Sequence, residues 1–229
     1  MTHHTASPYA DAAAIASYTQ EAPRKVPGLS DLHRMAMLLL AEHAPVAAEI
    51  LIVGAGGGME TLALALAQPE WRFSGVDPSA AMLDLARVTT APVADRVALI
   101  EGTVDQAPDG PFDGATCILT LHHIDRATRL DTLRQIRRRL KPGAPLVIAG
   151  HSAPGPDSEL WMTRSVAFGD RSGLDWEKAA TTGRMMAERL PLLTPEEEED
   201  LLRDAGLVDV ALFYAAFSFR GWVATAGPD

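Results

Sequence analysis

The sequence lacks a second cysteine, a long apolar run and an excess of basic residues. Cys117 alone cannot form a disulfide framework, so we expect a protein of a reducing compartment. Its neighbours, ATCILTL, favour a buried thiol over a nucleophile. No stretch of about 18 apolar residues is present to span a membrane, and the N-terminal residues lack the basic and apolar regions of a secretion signal. We therefore predict a cytoplasmic protein.

Positive charge is scarce, because 20 Lys and Arg residues stand against 30 Asp and Glu residues, for a formal net charge of −10. Such a surface repels nucleic-acid phosphates and anionic lipids. The densest basic segment, RQIRRRLK at 134–141, ends a predicted helix, where cations suit the helix dipole, and we interpret it as a solvated face. We therefore expect neither a nucleic-acid partner nor a membrane partner.

Metal-binding spacings are also missing from the sequence. There is no H-x-H motif, no H-E-x-x-H motif and no cysteine cluster. These are the patterns that place zinc ligands on one site. We therefore predict no metal.

Strand-like and helix-like segments alternate through most of the chain. Apolar runs predict strands at 49–53, 72–77, 96–102, 112–121 and 145–152, with helices between them and a further helix before the first strand, capped by Ser30. Nearly unbroken apolar strands are expected where helices cover both faces of a parallel sheet. The predicted fold class is α/β, a Rossmann-like doubly wound sheet.

The last third of the chain predicts a different arrangement. Residues 153–193 mix Gly, Pro, Arg and Trp and indicate helical segments inserted between strands. Thr194, Pro195 and Glu197 then form a helix-start pattern, with Gly206 as the stop. Strands at 208–216 and 217–225 are predicted to pair as an edge hairpin. The single predicted domain comprises N-terminal helices or a lid (1–45), a cofactor-binding core (46–152), a cap (153–193) and a C-terminal helix and hairpin (194–229).

The segment ILIVGAGGGMETLALALA contains the most informative turn. Glycines between a first parallel strand and its helix let a ligand approach the main chain and the helix N-terminus. Dinucleotide sites usually read G-x-G-x-x-G or A, but Met59 occupies the last position here. Asp77 ends the second strand, where its carboxylate can accept hydrogen bonds from both hydroxyls of a ribose. The turn, the acid and the alternating sheet together predict a nucleoside-type ligand.

These motifs resemble the class I S-adenosylmethionine-dependent methyltransferases. VGAGGG is similar to the glycine motif of that family, GVDPSAAMLDLAR to its ribose segment, FDGATCILTLHHI to its fourth strand and LKPGAPLVI to the turn into its fifth. The resemblance implies S-adenosylmethionine as cofactor. It also implies seven strands in the order 3-2-1-4-5-7-6 with strand 7 antiparallel, which agrees with the predicted hairpin.

The resemblance also implies roles for individual residues. The implied cofactor contacts are Gly54, Ala55 and Gly56 for the methionine portion, Asp77 for the ribose, Pro78 and Met82 on one side of the adenine, Thr103 and Val104 on its other side, and Leu119 and Thr120 under the sulfonium. The family often carries an acid two residues before the first glycine, where this chain has Ile52. It often carries another after strand 3, where this chain has Thr103 and, two residues on, Asp105.

A narrower resemblance concerns carboxy-S-adenosylmethionine synthases, which attach a carboxyl group to the sulfonium methyl. RKVPGLSDLHRM, Arg184 and FYAAFSFRGWVA are similar to segments of those enzymes, which implies a substrate-binding role for Arg184. Leu29 stands where the synthases carry a tyrosine, and Ile118 where they carry an asparagine. Synthase-like activity is therefore the alternative enzymatic interpretation.

Methyl transfer needs a positioned acceptor, exclusion of water and in some cases a base. His122, His123 and His151 follow strands 4 and 5, so they are candidate catalytic residues, although each can instead serve packing or capping. We predict transfer to a small-molecule substrate.

A cofactor-binding sensor or partner subunit without turnover is a further alternative. Tyr9 and Tyr18 mark the N-terminal helix as a candidate lid or homodimer contact.

Overall fold

The structure is a computed structural model, and it describes residues 12–228. Tyr9 lies outside the described residues. The helices are α1 (Ala12–Lys25), α2 (Leu29–Ala41), α3 (Met59–Ala67), α4 (Ala80–Thr89), α5 (Arg126–Arg137), α6 (Ser158–Gly169), α7 (Trp176–Arg189) and α8 (Pro195–Asp204). The strands are β1 (Glu49–Val53), β2 (Arg72–Asp77), β3 (Val97–Glu101), β4 (Gly114–Ile118), β5 (Pro145–His151), β6 (Leu207–Ala216) and β7 (Phe219–Ala226). Short 3-10 turns cover Ala91–Arg96, Val104–Gln106 and Leu121–His123.

All seven strands form one sheet in the order β3-β2-β1-β4-β5-β7-β6. Strands β1 to β5 pair in parallel, and β7 runs antiparallel to both β5 and β6. The predicted fold class and strand order are confirmed. Because parallel strands end at the same edge, the turns that follow β1, β2, β4 and β5 lie side by side.

The sheet is buried on both faces, as the apolar strands predicted. On β1, Ile50 and Ile52 pack with α2 and α3, whereas Leu51 and Val53 pack in a second cluster that includes Leu133 of α5. Alternation along the strand therefore separates an α2/α3 face from an α5/α8 face. Cys117 is buried on the second of these, and burial raises the pKa of its thiol. It is a core residue.

Helix capping follows the sequence pattern at two helices and departs from it at one. Thr194 accepts a hydrogen bond from the Glu197 N–H at 3.2 Å, and Glu197 accepts one from the Thr194 N–H at 2.9 Å, which completes the predicted capping box. Ser79 caps α4. The prediction that Ser30 caps α2 is wrong, because the helix already begins at Leu29, after Gly28 in a left-handed conformation with φ 63°.

Two helices occupy most of residues 153–193. Helices α6 and α7 begin at Asp157 and Asp175, whose carboxylates accept backbone N–H groups at 2.8 and 3.0 Å. The helices pack so closely that a Cβ on Gly183 would lie 2.7 Å from the backbone nitrogen of Thr163. The region is helical, and its function as a cap stays a prediction. In residues 12–228 no helix combines the length and apolarity needed to cross a bilayer.

An ion pair between Arg129 and Glu198 joins α5 to α8 in the interior. Both side chains are buried, and Arg129 also donates to the carbonyl oxygens of Ile124 and Pro191 at 3.3 and 2.9 Å. One guanidinium therefore ties the segment after the Leu121–His123 turn to the segment after α7. Breaking such a pair leaves an uncompensated buried charge, so it fixes the local arrangement.

The basic segment at 134–141 is only partly a solvated face, so that prediction is wrong for two of its residues. Arg139 is 1% exposed and donates to the backbone carbonyl of Gln135 at 3.0 Å. Arg137 donates to the carbonyl oxygens of Gly227 and Pro228 at 2.9 and 2.8 Å. These arginines close the C-terminal end of α5 and hold the chain end after β7.

Candidate cofactor and acceptor site

The turn after β1 is built on three glycines with left-handed backbones. Gly54, Gly56 and Gly58 have φ values of 77°, 50° and 78°. At Gly54 a Cβ would lie 1.9 Å from the Oγ1 atom of Thr120, and at Gly58 it would lie 2.9 Å from the Cα atom of Ala86. Packing against β4 and α4 therefore excludes side chains at these two positions, independently of any ligand.

Gly56 differs from the other two glycines because space remains above it. The nearest atoms to a Cβ placed there include the Cε atom of Met82 at 3.6 Å and the Tyr18 hydroxyl at 4.0 Å. A ligand can approach the main chain at this point. The prediction that the glycines admit a ligand therefore applies most directly to Gly56.

Asp77 ties the end of β2 to the glycine turn. Its Oδ2 atom accepts the Gly56 N–H at 2.9 Å, and its Oδ1 atom accepts the Ser79 N–H at 2.9 Å. Burial raises the pKa of Asp77, and the two backbone hydrogen bonds counteract that rise. Each carboxylate oxygen keeps a further acceptor site, so the group can still receive ribose hydroxyls.

The remaining predicted cofactor residues differ in their surroundings. Met82 contacts the open side of Gly56, and Thr120 packs on Gly54. Leu119 adopts a left-handed φ of 59°. Ala55 and Val104 are buried in opposite core clusters.

The outer members of the predicted adenine set lie nearer to solvent. Pro78 is exposed. The Thr103 N–H donates to the Oε1 atom of Gln106 at 2.8 Å and begins the turn at Val104–Gln106. The cofactor contacts assigned to all these residues stay predictions.

A small cavity opens beside the glycine turn. Helices α1, α2 and α3 and the end of β4 form its walls. It is lined by Tyr18, Leu29, His33, Gly54, Gly57, Met59, Glu60, Ile118 and Leu119. The sequence pattern carries no signal for a cofactor role of His33 or Glu60, because a lone histidine on α2 and an acid in the first turn of α3 both fit ordinary helix patterns. The depth of these residues becomes evident only when α2 is packed over the turn.

The three predicted histidines lie together at the ends of β4 and β5. The ring centroids of His122 and His123 are 4.1 Å apart, and those of His122 and His151 are 5.1 Å apart. The His151 N–H donates to the Nδ1 atom of His122 at 3.4 Å, and the Nδ1 atom of His151 bonds the Ser218 hydroxyl at 2.8 Å. The His151 ring stacks on Phe219 at 3.9 Å. The cluster is fixed by strands β4, β5 and β7.

These histidines are neutral at pH 7. Burial lowers the pKa of His151 to about 3, with a further contribution from His123. Burial, followed by the charges of His123 and His151, holds the pKa of His122 well below its usual value. The pKa of His123 is lowered by burial and by Arg189. His123 and His151 remain partly exposed, whereas His122 is 5% exposed and faces a second cavity with Glu198 and Trp222.

Arg184 lies away from these two groups in its recorded contacts. It is an exposed residue of α7 whose Nε atom donates to the Oε1 atom of Glu159 on α6 at 3.0 Å. Its substrate-binding role stays a prediction. Within the described range 12–228, no group of three His, Cys, Asp or Glu side chains is placed to hold a metal ion.

Comparison with known proteins supports this description of the site. Residues 51–146, from β1 to the start of β5, match the family model described as a methyltransferase domain. Over these 96 of its 229 residues, the chain is similar to S-adenosylmethionine-dependent methyltransferases. The predicted resemblance to the class I members of this family is thereby confirmed, and the cofactor of the family is S-adenosylmethionine.

Individual relatives add further detail. The chain is 30% identical to an uncharacterized protein of Synechococcus over 197 residues, which cover 78% of this chain and 46% of that protein. It is 24% identical to the carboxy-S-adenosyl-L-methionine synthase of Chromohalobacter salexigens over 220 residues, 93% of this chain and 82% of that enzyme. A crystal structure from Nostoc punctiforme, of a protein proposed to be an O-methyltransferase, superposes with a TM-score of 0.68 at 21% identity and covers 93% of this chain and 59% of that one. The chain thus spans about half the length of the first of these relatives.

The residues of the site fit this cofactor chemically. The open side of Gly56 admits a ligand, and Asp77 keeps acceptor capacity for a ribose. The neighbouring cavity contains a buried carboxyl group, that of Glu60, with an oxygen that lacks a hydrogen-bond partner. An adenosine joined to an amino acid presents complementary groups to each of these features.

We predict that Gly54→Ala destabilises the protein more than Gly143→Ala does. Both glycines have a φ of 77°, but nothing lies within 4 Å of a Cβ on Gly143, whereas Thr120 occupies that space at Gly54. Left-handed strain costs each variant about 1–2 kcal/mol. Overpacking adds roughly 1–3 kcal/mol at Gly54 alone. Urea unfolding measures both, and equal losses would show that the contact with Thr120 does not constrain the turn.

Proposed function

We propose that this protein transfers the methyl group of S-adenosylmethionine to a small-molecule acceptor. The observation that carries the proposal is the position of two groups at one edge of the sheet. The turn held by Asp77 and Gly56 follows β1 and β2, and the neutral histidine cluster follows the adjacent strands β4 and β5. In a doubly wound sheet this edge is where ligands bind.

S-adenosylmethionine, when bound, supplies a methyl group already activated by its positive sulfur. The protein therefore has to position an acceptor, exclude water and, for a protonated acceptor, receive a proton. No covalent attachment to the chain is required. This suits a site that offers neutral imidazoles.

The three histidines are suited to different tasks. A general base works best with a pKa near the operating pH, and a pKa of about 3 makes His151 a weak proton acceptor. With one ring nitrogen bonded to Ser218, His151 is better suited to orienting an acceptor. His122 is turned into the α5/α8 side and has a supporting role. We assign proton transfer to His123, which is less buried than His122 and ends the 3-10 turn that comes after β4.

The acceptor is proposed to be a small molecule because the chain carries a net charge of −10, which disfavours nucleic acid.

A homodimer stays a prediction. Tyr18 packs so closely on the glycine turn that its Cδ1 atom would lie 3.0 Å from a Cβ on Gly57. This contact supports the lid interpretation of α1.

Carboxy-S-adenosylmethionine synthase activity is the second candidate, favoured by the relative from Chromohalobacter salexigens, which aligns over most of both chains. Against it, Leu29 and Ile118 both line the cavity beside the glycine turn. The resemblance implies a tyrosine and an asparagine at these positions in the synthases. Aliphatic side chains offer a carboxylate no hydrogen bond, so the cavity favours an uncharged methyl group.

Native mass spectrometry of the purified protein separates the two enzymatic candidates. We expect any retained cofactor to have the mass of S-adenosylmethionine or S-adenosylhomocysteine. A bound species heavier than S-adenosylmethionine by one carboxyl group would overturn methyl transfer in favour of the synthase reading.

We predict that Asp77→Ala weakens binding of S-adenosylhomocysteine by about 1.5–3 kcal/mol, as expected when hydrogen bonds to a charged group are lost. Isothermal titration calorimetry measures the change. The control is Asp84→Ala, which removes an exposed carboxylate of α4 that pairs with Arg87. Unchanged affinity in Asp77→Ala would reject the ribose assignment.

Turnover tests the histidine assignment and the non-catalytic alternative together. We expect S-adenosylhomocysteine to form from S-adenosylmethionine with at least one member of a panel of phenolic, carboxylic and amine acceptors. With the fastest acceptor, His123→Gln should lower the rate about 10²-fold or more without changing cofactor affinity. His43→Gln, at an exposed position after α2, is the control. No product with any acceptor would favour a sensor or partner subunit, and full activity in His123→Gln would reject that residue as the base.

A further inference from the structure

Glu60 is a buried acid without a cation. It lies in the first turn of α3, is 7% exposed, and its Oε1 atom has no hydrogen-bond partner. The hydroxyl of Thr116 on β4 lies close enough to moderate the pKa of the carboxyl group, but the Oγ1 atom also lacks a hydrogen bond. Buried carboxyl oxygens are normally satisfied, so this one calls for a functional explanation.

The surroundings of Glu60 show what kind of partner is missing. Glu60 lines the cavity beside Gly54 and Gly57. Across residues 12–228, no Lys or Arg makes an ion pair with it. His33 lines the same cavity from α2, but burial lowers the pKa of His33 to about 4, so it is neutral at pH 7. The missing partner is therefore a cation that enters through the cavity.

The amino-acid portion of the cofactor carries such a cation. S-adenosylmethionine and S-adenosylhomocysteine both have an α-ammonium group, which needs acceptors when it leaves water. The strand before the turn supplies none from its side chains near the glycines, because Ile52 and Val53 are buried and aliphatic. Glu60, on the helix α3 that follows the turn, is the acid that lines the cavity.

We propose that the Glu60 carboxylate binds the α-ammonium group of the cofactor. This proposal rests on the proposed function for its ligand, and it adds a specificity-determining residue that lies on α3, after the glycine turn. A charge-assisted hydrogen bond from the ammonium group satisfies the unpaired oxygen and leaves the carboxylate ionised.

The protonation of Glu60 provides a second signature. Burial raises the pKa of Glu60 to about 7, with Thr116 counteracting part of the rise. The other titratable groups that line its cavity are His33 from α2 and the hydroxyl of Tyr18 from α1, and the thiol of Cys117 on β4 lies on the opposite face of the sheet. An acid half protonated at pH 7 that must ionise to bind an ammonium group releases about half a proton on binding. Affinity should therefore rise between pH 6 and pH 8.

The test is calorimetric binding of two probes to the full chain. One is S-adenosylhomocysteine, and the other is its analogue with hydrogen in place of the α-amino group. We expect Glu60→Gln to weaken binding of S-adenosylhomocysteine about 10- to 100-fold and binding of the analogue less than twofold. Retained binding of the analogue shows that the variant is folded. Glu70→Gln, an exposed acid after α3, is the matched control and should change neither affinity.

Titrations in buffers of different ionisation enthalpy measure the proton release. We expect it in the wild type and in Glu70→Gln, and we expect its loss in Glu60→Gln. Equal weakening of both probes, or no weakening of either, would overturn the role of Glu60 while leaving the cofactor assignment intact. A wild-type protein that binds neither probe would overturn the proposed function itself, and this inference with it.

Discussion

The hydrogen bond from the Gly56 N–H to Asp77 is the constraint on which the rest of the site depends. It joins the turn after β1 to the end of β2 at a point where the backbone is left-handed. The Gly54 and Ala55 N–H groups both donate to the Val76 carbonyl at 2.9 Å. The end of β2 therefore holds the turn through Val76 as well as through Asp77. Thr120 fills the space over Gly54 from β4. Three neighbouring strands therefore meet at one corner, and little freedom remains for the peptide groups that a nucleoside would approach.

Each face of the sheet contains a buried acid, and the two acids differ in their partners. On the α5/α8 face, Glu198 is paired with Arg129, and the same guanidinium satisfies two carbonyl oxygens, so the charge is compensated inside the protein. On the α2/α3 face, Glu60 has a comparable depth but only neutral neighbours. The first arrangement is structural, because all of its charge is internal. The second has no compensating cation among residues 12–228, which is the basis of the proposed contact with the α-ammonium group of the cofactor.

Most of the fold followed from local patterns in the sequence. Apolar strand runs, the capping box at Thr194 and the spaced acid at Asp77 are each decided within a few residues, and they specify the sheet and the corner of the site. The errors arose where tertiary contacts decide. Strand β4 ends at Ile118 rather than residue 121, because Leu119 turns to a left-handed φ of 59° and a 3-10 turn follows. Arg139 is buried and donates to the carbonyl oxygen of Asp105, a contact between distant parts of the chain that no local charge pattern reveals.

The candidate site shows the same division. The glycine turn and the three histidines were predictable, because parallel strands bring their ends to one edge. The reasons for the individual glycines were not, since Thr120 and Ala86 approach them from elements far away in sequence. Glu60 and His33 were not assigned to the site for the same reason. Their chemical meaning comes from burial, and burial depends on how α2 and α3 pack on the sheet.

The charge balance of the cavity also bears on which reaction the site supports. A carboxyl group added to the sulfonium methyl would bring a negative charge next to walls that contain the acid Glu60, the aliphatic Leu29 and Ile118, and a neutral His33. In the described part of the chain, Arg184 is paired with Glu159 at an exposed position and does not compensate that charge there. A methyl group introduces no such charge. In the proposed arrangement, the acid that binds the α-ammonium group of the cofactor also disfavours a carboxylated sulfonium, which gives Glu60 a part in both binding and selectivity.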